Sequence, residues 1–274
     1  RHVVDANARV RPNRPPPIQQ NENTMKALYW FRKDLRLTDN LALRQACDLA
    51  TELLPVVLKD HQATETTEWG FTRKGPHRVA FEAQAINGLI HALEERGAHL
   101  YEIARKSQVS TQTATVQAVQ ALIETAHCLG LDTVFCESLP GSEEQQAVKQ
   151  IEQAGLRVRQ TEQYGLFNLG DLPFAVEQTP LVFTAFRKAV EAHGVLPEIP
   201  QPAPTSLPPA PTLDLGEGLA LKRLSASRST GKPPADARSA FPYTTEHWQA
   251  DEASALVTLY RTDSTSPGGW LEAK

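Results

Sequence analysis

Hydrophobic and polar positions alternate along residues 25–161 in a pattern that predicts strands followed by helices. Short apolar runs are typical of buried strands in a parallel sheet, whereas apolar residues spaced three and four apart are typical of one helix face. The strand-like runs are Ala27–Phe31, Leu53–Leu58, His99–Ala104, Asp132–Cys136 and Leu156–Gln160. Strand–helix alternation with short turns predicts an α/β fold, an open five-stranded parallel sheet with helices on both faces.

Helices are predicted in the four intervals between these strands. Their expected spans are Leu41–Leu49, residues 76–96, residues 111–130 and residues 142–155. Asp39 or Asn40 can serve as the N-cap of the first helix, and Ser142 as that of the fourth. In the second helix the spacing predicts a buried apolar stripe formed by Val79, Phe81, Ile86, Leu89, Ile90 and Leu93.

Composition divides the chain into four parts. Residues 1–24 are rich in Arg and Pro and precede Met25, the only methionine, which we expect to be the natural start. They are predicted to be a disordered N-terminal extension, and residues 25–192 form the α/β domain. Residues 193–219 are a proline-rich linker whose composition favours extended chain. Residues 220–274 show no sustained helical period and are predicted to be a poorly structured tail.

Charge and cysteine content limit the classes of function. The chain has a net charge of −4 and a pI of about 6.1, which argues against bulk electrostatic attraction to nucleic acid. Three cysteines without a Cys-x-x-Cys spacing indicate reduced thiols and a cytoplasmic location. Since no stretch approaches the ~20 apolar residues of a spanning helix, we expect no membrane segment.

The candidate chemistry begins where the first predicted strand ends. An apolar, aromatic run changes there into the charged residues Arg32, Lys33, Asp34 and Arg36. Open α/β sheets bind ligands just beyond the carboxyl ends of their strands, so this cluster is a candidate site. The alternative is a structural ion-pair network, and we prefer it for Arg32 and Asp34 because unpaired charge near a core is costly.

Other common catalytic and binding motifs do not occur. Gly216-Glu217-Gly218 lies past the linker rather than after a strand, and Gly231-Lys232 lacks the upstream glycine of a phosphate loop. The eight histidines have no metal-ligand spacing, and we interpret them as structural or solvent-exposed.

Two strings in the chain resemble the photolyase/cryptochrome family. The first is Trp30-Phe31-Arg32-Lys33-Asp34-Leu35-Arg36-Leu37 followed by Asp39-Asn40. The second, Asp171-Leu172-Pro173-Phe174 followed by Phe183-Thr184-Ala185-Phe186-Arg187-Lys188, is similar to a segment of the DASH branch. The resemblance runs from Met25 to Glu191, and Gly216–Leu224 resembles the opening of the family's helical, FAD-binding domain. Beyond Leu224 the resemblance stops.

The resemblance implies a function that the residue pattern alone does not. In the family the α/β domain holds an antenna chromophore, a reduced folate such as methenyltetrahydrofolate or a deazaflavin, which passes excitation to FAD. Full-length DASH relatives repair pyrimidine dimers, chiefly in single-stranded DNA. The implied antenna-cleft residues are Phe31, Arg32, Asp34, Asn40 and Glu137. In the DASH branch the folate carboxylate lies in a His-Glu-Glu string. In this chain the corresponding string is Cys136-Glu137-Ser138-Leu139, in which Glu137 is displaced from the family position.

Two functional hypotheses follow. The first is the antenna domain of a DASH-type cryptochrome from which most of the FAD domain is missing. A truncation, a pseudogene-like remnant or a frameshift after Leu224 would each explain this, and the chain would be unable to repair DNA alone. The second is a stand-alone α/β module that binds a nucleotide or a protein without photochemistry. The inter-domain face left exposed without the helical domain would then be its contact with a partner.

Overall fold

A computed structural model describes residues 25–58, 66–105, 114–197, 199–214 and 219–227. The strands are β1 (Lys26–Trp30), β2 (Glu52–Leu58), β3 (Tyr101–Arg105), β4 (Thr133–Glu137), β5 (Arg157–Thr161) and β6 (Leu219–Arg223). The α-helices are α1 (Leu41–Leu49), α2 (Pro76–Glu94), α3 (Ala114–Cys128), α4 (Ser142–Gln153) and α5 (Phe183–Ala192). The prediction of an α/β fold is confirmed. Among the described residues, no helix is long and apolar enough to cross a membrane.

The sheet has the order β5-β4-β1-β2-β3-β6, and its first five strands are parallel. From β1 the chain builds outward through β2 and β3, then returns to the other side of β1 to add β4 and β5. The direction of winding therefore reverses between β1 and β4. At such a reversal the loops leave the sheet in opposite directions and a crevice opens at the carboxyl ends of the two strands.

Two apolar cores lie on opposite faces of the sheet. Leu28, Leu54 and Ile103 point towards α3 and α4, where Leu122 and Ile151 are fully buried. Alternate residues, such as Tyr29 and Leu53, point towards α1 and α2. This alternation follows from the two-residue repeat of a strand, and it explains why β1 and β2 are apolar at nearly every position.

The sixth strand corrects the predicted strand count. β6 pairs antiparallel with β3, from Tyr101 opposite Arg223 to Arg105 opposite Leu219. It crosses the boundary that we expected between linker and tail, so residues 220–223 are part of the sheet. Residues 228–274 of the predicted tail and residues 1–24, the predicted N-terminal extension, lie outside the described residues.

The proline-rich segment, residues 199–214, contains no helix or strand, and it lies against the α/β domain. We call it the strap. Three of its backbone carbonyls accept hydrogen bonds from the α/β domain. The Gln201 carbonyl accepts from Asp39 N at 2.7 Å, that of Pro204 from Arg96 Nε at 2.8 Å and that of Pro209 from Leu53 N at 3.0 Å. Ala203 and Leu207 pack on the core beneath α1 and α2. The strap thus connects α5 to β6 along the surface of the domain.

Several predicted boundaries shift slightly. Phe31 falls one residue beyond β1, although its N–H still donates to Val56 O at 2.9 Å. Gly141 rather than Ser142 is the N-cap of α4. In α2 the predicted stripe is buried only in the second half of the helix. Val79 and Phe81 are 37% and 59% exposed, so the expectation that they lie in the core is wrong.

Candidate binding site at the carboxyl ends of β1 and β4

The turn between β1 and α1 brings four of the five candidate residues together, and the end of β4 adds the fifth. Phe31, Asp34, Asn40 and Glu137 are each at most 3% exposed, and Arg32 is half-buried. The strand pairing places Trp30 beside Cys136, so the residues that follow them meet at the reversal between β1 and β4.

Asp34 is the centre of a buried hydrogen-bond network. Its Oδ1 accepts from the backbone N–H of Arg32 at 2.9 Å. Its Oδ2 accepts from the Tyr29 hydroxyl at 2.5 Å, from Asn40 Nδ2 at 3.2 Å and from Gln163 Nε2 at 3.0 Å. Burial, followed by the charge of Asp34, raises the pKa of Tyr29, which keeps that hydroxyl a donor. Asp34 therefore holds the turn together and has its acceptor capacity filled by the protein.

Asn40 connects this network to α1. It is the N-cap, and its Oδ1 accepts from the backbone N–H of Leu43 at 3.0 Å. Its Nδ2 also donates to the Arg36 carbonyl at 3.0 Å. The preceding residue, Asp39, has a φ of 52°, and both its N–H and its carboxylate bond the backbone of Gln201 in the strap. The turn is thus fixed from inside by Asp34 and from outside by the strap.

Gln163 also belongs to the site, although it is not among the residues predicted from the sequence. It follows β5, and its side chain donates to Asp34 and accepts from the backbone N–H of Ala42 at 3.0 Å. A polar residue just after a strand was the available signal, because the carboxyl ends of parallel strands share one edge. Gln163 fixes the start of the segment that leads to α5.

Arg32 and Phe31 have different surroundings. The guanidinium of Arg32 lies 4.6 Å from the ring centroid of Trp30 and donates to the backbone carbonyl of Glu137 at 3.3 Å. Phe31 packs edge-on against Tyr29, with ring centroids 4.5 Å apart, in the core beneath α1 and α2. Arg32 is therefore the only one of the pair with part of its side chain at the surface.

Glu137 has an unsatisfied acceptor. Its side chain is buried, and its Oε2 has no hydrogen-bond partner among the described residues. Burial raises the pKa of the Glu137 carboxyl to about 7, and the charge of Asp34 adds to the rise against the opposing effect of Arg36. A buried acceptor without a partner is uncommon and marks a position where a donor from a ligand would be stabilised.

The three cysteines add no reactive group to this site. Burial raises the pKa of Cys136, which lies beside Glu137, to about 11, and that of Cys47 to about 12. Cys128 is exposed on α3, and all three are free thiols. Among the described residues no cluster of His, Cys, Asp and Glu could hold a metal ion.

Large apolar side chains are exposed on two segments beyond the carboxyl ends of the strands. The segment after β5 exposes Tyr164, Leu166, Leu181, Val182 and Phe183 by 55–103%, and only Val190 of α5 is buried. The loop before α2 exposes Trp69 and Phe71, which flank Gly70 at φ 81°. An Arg73–Glu143 ion pair at 3.2 Å links this loop to the start of α4. Soluble domains rarely expose so many large apolar residues together unless another surface covers them.

Comparisons with known proteins identify relatives over most of the chain. A sequence model described as DNA photolyase matches residues 27–207. The Cryptochrome DASH protein of Natronomonas pharaonis is 29% identical over 221 residues, which cover 79% of this chain and 43% of that relative. The blue-light photoreceptor PHR2 of Arabidopsis thaliana is 30% identical over 222 residues, covering 76% of this chain and 47% of that relative.

Solved structures share the fold of this chain. A cryptochrome from Synechocystis sp. PCC6803 superposes with a TM-score of 0.66 at 25% identity, covering 88% of this chain and 46% of that chain. A bacterial class III photolyase from Agrobacterium tumefaciens shares the fold, with a TM-score of 0.51 at 24% identity over 72% of this chain and 37% of that one. The chain therefore spans less than half the length of these relatives. With the family model matching more than half of its residues, the chain belongs to the DNA photolyase family, and Cryptochrome DASH proteins are among its relatives.

Proposed function

We propose that residues 25–192 are the antenna domain of a DASH-type cryptochrome or photolyase-related protein. In this proposal the flavin-dependent, blue-light repair of pyrimidine dimers in single-stranded DNA requires a helical FAD-binding domain in addition to the α/β domain. The 274-residue chain alone then binds no FAD and repairs no DNA. The observation that carries the proposal is the exposed apolar surface on α5 and on the loop before α2, which a second domain would cover.

The crevice between β1 and β4 is the proposed antenna site, and its ligand is a reduced folate. A pterin ring presents N–H donors that suit a buried carboxylate, and Glu137 Oε2 is such an acceptor without a partner. Arg32, stacked on Trp30, would form one wall, while Asp34 and Asn40 fix the shape of the turn and Phe31 supports it from the core. When bound, the folate would absorb light and transfer the excitation energy.

The exposed apolar surface is also the proposed partner contact. Phe174, Phe183 and Phe186 form an aromatic cluster with ring centroids 5.5 and 6.4 Å apart, and Phe183 is 74% exposed. A partner that buries this cluster would gain roughly 25 cal/mol for each Å² of apolar surface removed from water. The unpaired thiols of Cys47, Cys128 and Cys136 support a cytoplasmic location for the assembled protein.

The absorption spectrum of the purified 274-residue chain tests the proposal. We expect no blue flavin band, and a near-ultraviolet pterin band after incubation with methenyltetrahydrofolate. A flavin band that remains after gel filtration contradicts the proposal that FAD needs a further domain. A clean protein spectrum after folate reconstitution contradicts the antenna site and favours a stand-alone α/β module that binds a nucleotide or a protein.

Matched variants separate a built site from adventitious dye binding. Glu137→Gln removes the proposed acceptor charge, and Glu152→Gln makes the same change on the exposed surface of α4. We expect the first variant to bind folate at least tenfold more weakly than the second, because a charge-assisted hydrogen bond contributes about 1.5–3 kcal/mol. Equal folate binding by the two variants would remove Glu137 from the site.

A further inference from the structure

Two buried carboxyl groups of unequal surroundings lie at the carboxyl ends of β1 and β4. Asp34 accepts four hydrogen bonds, from the backbone of Arg32 and from the side chains of Tyr29, Asn40 and Gln163. Glu137, at 3% exposure, has a side-chain oxygen that lacks any partner among the described residues. Burial of a carboxyl group with an unpartnered oxygen favours its neutral form. The two groups therefore differ in how far the protein satisfies their oxygens.

The neighbouring arginines do not remove this difference. Arg32 Nη1 donates to the backbone carbonyl of Glu137 rather than to its carboxylate. Arg36 donates through Nε and Nη2 to the carbonyl of Asp39, and through Nη2 to the carbonyl of Gln163. Both guanidinium groups therefore donate these hydrogen bonds to backbone oxygens rather than to the Glu137 carboxylate. The Glu137 carboxyl gains a backbone hydrogen bond from Lys33, and the charges of Arg36 and Arg32 only partly oppose the effect of burial.

Several other charged groups on the neighbouring elements have partners of their own. On β5, Arg159 lies 5.9 Å from the ring centroid of Phe135, and Arg157 pairs with Asp132 at the amino-terminal ends of β5 and β4, away from the site. On α1, Arg44 pairs with Asp48, and at the start of α4, Glu143 pairs with Arg73. On β4 itself, Cys136 is a neutral thiol because burial raises its pKa to about 11. Asp34 is therefore the negative charge that acts most directly on Glu137.

We propose that Glu137 and Asp34 form a proton-sensing pair at the reversal between β1 and β4, in which the proton is taken up and released by Glu137, whose buried Oε2 has no partner among the described residues. When protonated, the carboxyl is neutral and its burial costs little. When the proton leaves, a second negative charge is held out of water beside Asp34. The pair concerns the protein's own groups, so it does not depend on the proposed folate site.

The sign of the pH dependence follows from the two states of the chain. The pKa of Glu137 is raised from 4.5 to about 7 by folding. Protonation of Glu137 therefore contributes to the stability of the folded state. This contribution is fully present below pH 4.5 and is lost as the pH rises through 7. Glu137→Gln cannot ionise, so it lacks this pH-dependent loss.

Urea denaturation of the 274-residue chain between pH 4.5 and pH 8 tests the proposal. From the lower to the higher pH, we expect the unfolded-to-folded ratio to rise roughly ten- to a hundredfold more in the parent protein than in Glu137→Gln. The control Glu152→Gln, on the exposed surface of α4, should follow the parent protein. Identical pH dependence in the parent and in Glu137→Gln would overturn the proposal.

Infrared spectroscopy of the parent protein gives a second measurement that does not require the variant to fold. A carbonyl-stretch band of a protonated carboxylic acid should be present at pH 5.5, where exposed Asp and Glu are ionised, and should disappear with a midpoint near 7. Where Glu137→Gln folds, it should lack this band. A parent spectrum without a protonated carboxyl at pH 5.5 would also overturn the proposal.

Discussion

Asn40 illustrates how one side chain supports both the local structure and the candidate site. Its oxygen caps α1 through Leu43 N, and its amide nitrogen donates to Asp34 Oδ2 and to the Arg36 carbonyl. An aspartate could act as the cap, but its carboxylate would face that of Asp34. A serine could cap the helix but could not reach both acceptors. The position therefore needs an amide, which donates and accepts at once.

We predict that Asn40→Ala destabilises the chain by about 2–4 kcal/mol. The variant loses a helix cap worth about 1 kcal/mol and leaves a buried oxygen of Asp34 with one donor fewer. The measurement is urea denaturation followed by circular dichroism at pH 7. Gln153→Ala, an exposed substitution at the end of α4, is the control and should change stability by less than about 0.5 kcal/mol. Equal stability of the two variants would contradict the assigned role of Asn40.

The residue pattern predicted which residues lie at this strand end but not how they are connected. The change from apolar to charged residues after Trp30 placed Arg32 and Asp34 there, and the structure brings them together with Asn40, one of the two N-caps predicted for the first helix. The preferred alternative for Asp34 was a structural ion-pair network, whereas its side-chain partners in the structure are the neutral groups of Tyr29, Asn40 and Gln163. Gln163 lies 129 residues from Asp34 along the chain, so no local pattern could reveal their contact.

At the scale of elements, the strap joins α1, α2 and β2 by hydrogen bonds along the surface of the domain. Its three backbone carbonyls bond Asp39, Arg96 and Leu53, which lie at the start of α1, just after α2 and in β2. Leu207 packs on the core beneath α1 and α2. A proline-rich chain suits this position, because it loses little conformational entropy when it is ordered and its carbonyls remain available as acceptors.

We predict that Leu207→Asp releases the strap, whereas Ser206→Asp does not. The aspartate at 207 would place a charge against an apolar core, which we expect to cost about 1–3 kcal/mol, while residue 206 is exposed. Limited proteolysis at native conditions should cleave Leu207→Asp within residues 199–214 at least tenfold faster than the parent chain. Equal cleavage rates of the two variants would show that the strap does not depend on this contact.

The parallel strands could be predicted from the sequence because each is a short apolar run. The strand β6 could not be predicted in this way. Leu219–Arg223 ends in two basic residues and is short, so it resembles a polar tail. It becomes a strand because β3 offers an unpaired edge, which is a tertiary cause. The burial of α2 was also mispredicted, since periodicity shows that Val79 and Phe81 share a face but not what covers that face.

At the scale of the whole molecule, we expect the exposed apolar residues to contribute little to the free energy of unfolding. Trp69 is 75% exposed and Leu181 is fully exposed, so neither contributes to the core. We predict that Trp69→Ser combined with Leu181→Ser changes the free energy of unfolding by less than about 1 kcal/mol. The fluorescence of a bound apolar dye should fall by at least half. Sedimentation velocity should show less self-association.

Leu54→Ser provides the contrast, because Leu54 is fully buried in β2. This single change should destabilise the chain by more than 2 kcal/mol and increase the binding of the dye. If the surface variant were destabilised as strongly as Leu54→Ser, the residues beyond the strand ends would be part of the core rather than a contact surface.

The antiparallel pairing of β6 with β3 has a consequence for synthesis on the ribosome. The five parallel strands are translated by Thr161, but the edge of β3 is covered only after the strap and Leu219–Arg223 have emerged. At ~5–20 residues per second this interval is on the order of 3–12 s. Throughout it the nascent chain presents a bare strand edge, a surface on which chains pair with one another. Late arrival of β6 thus leads us to expect that pairing between nascent chains is most favourable before Arg223 has emerged.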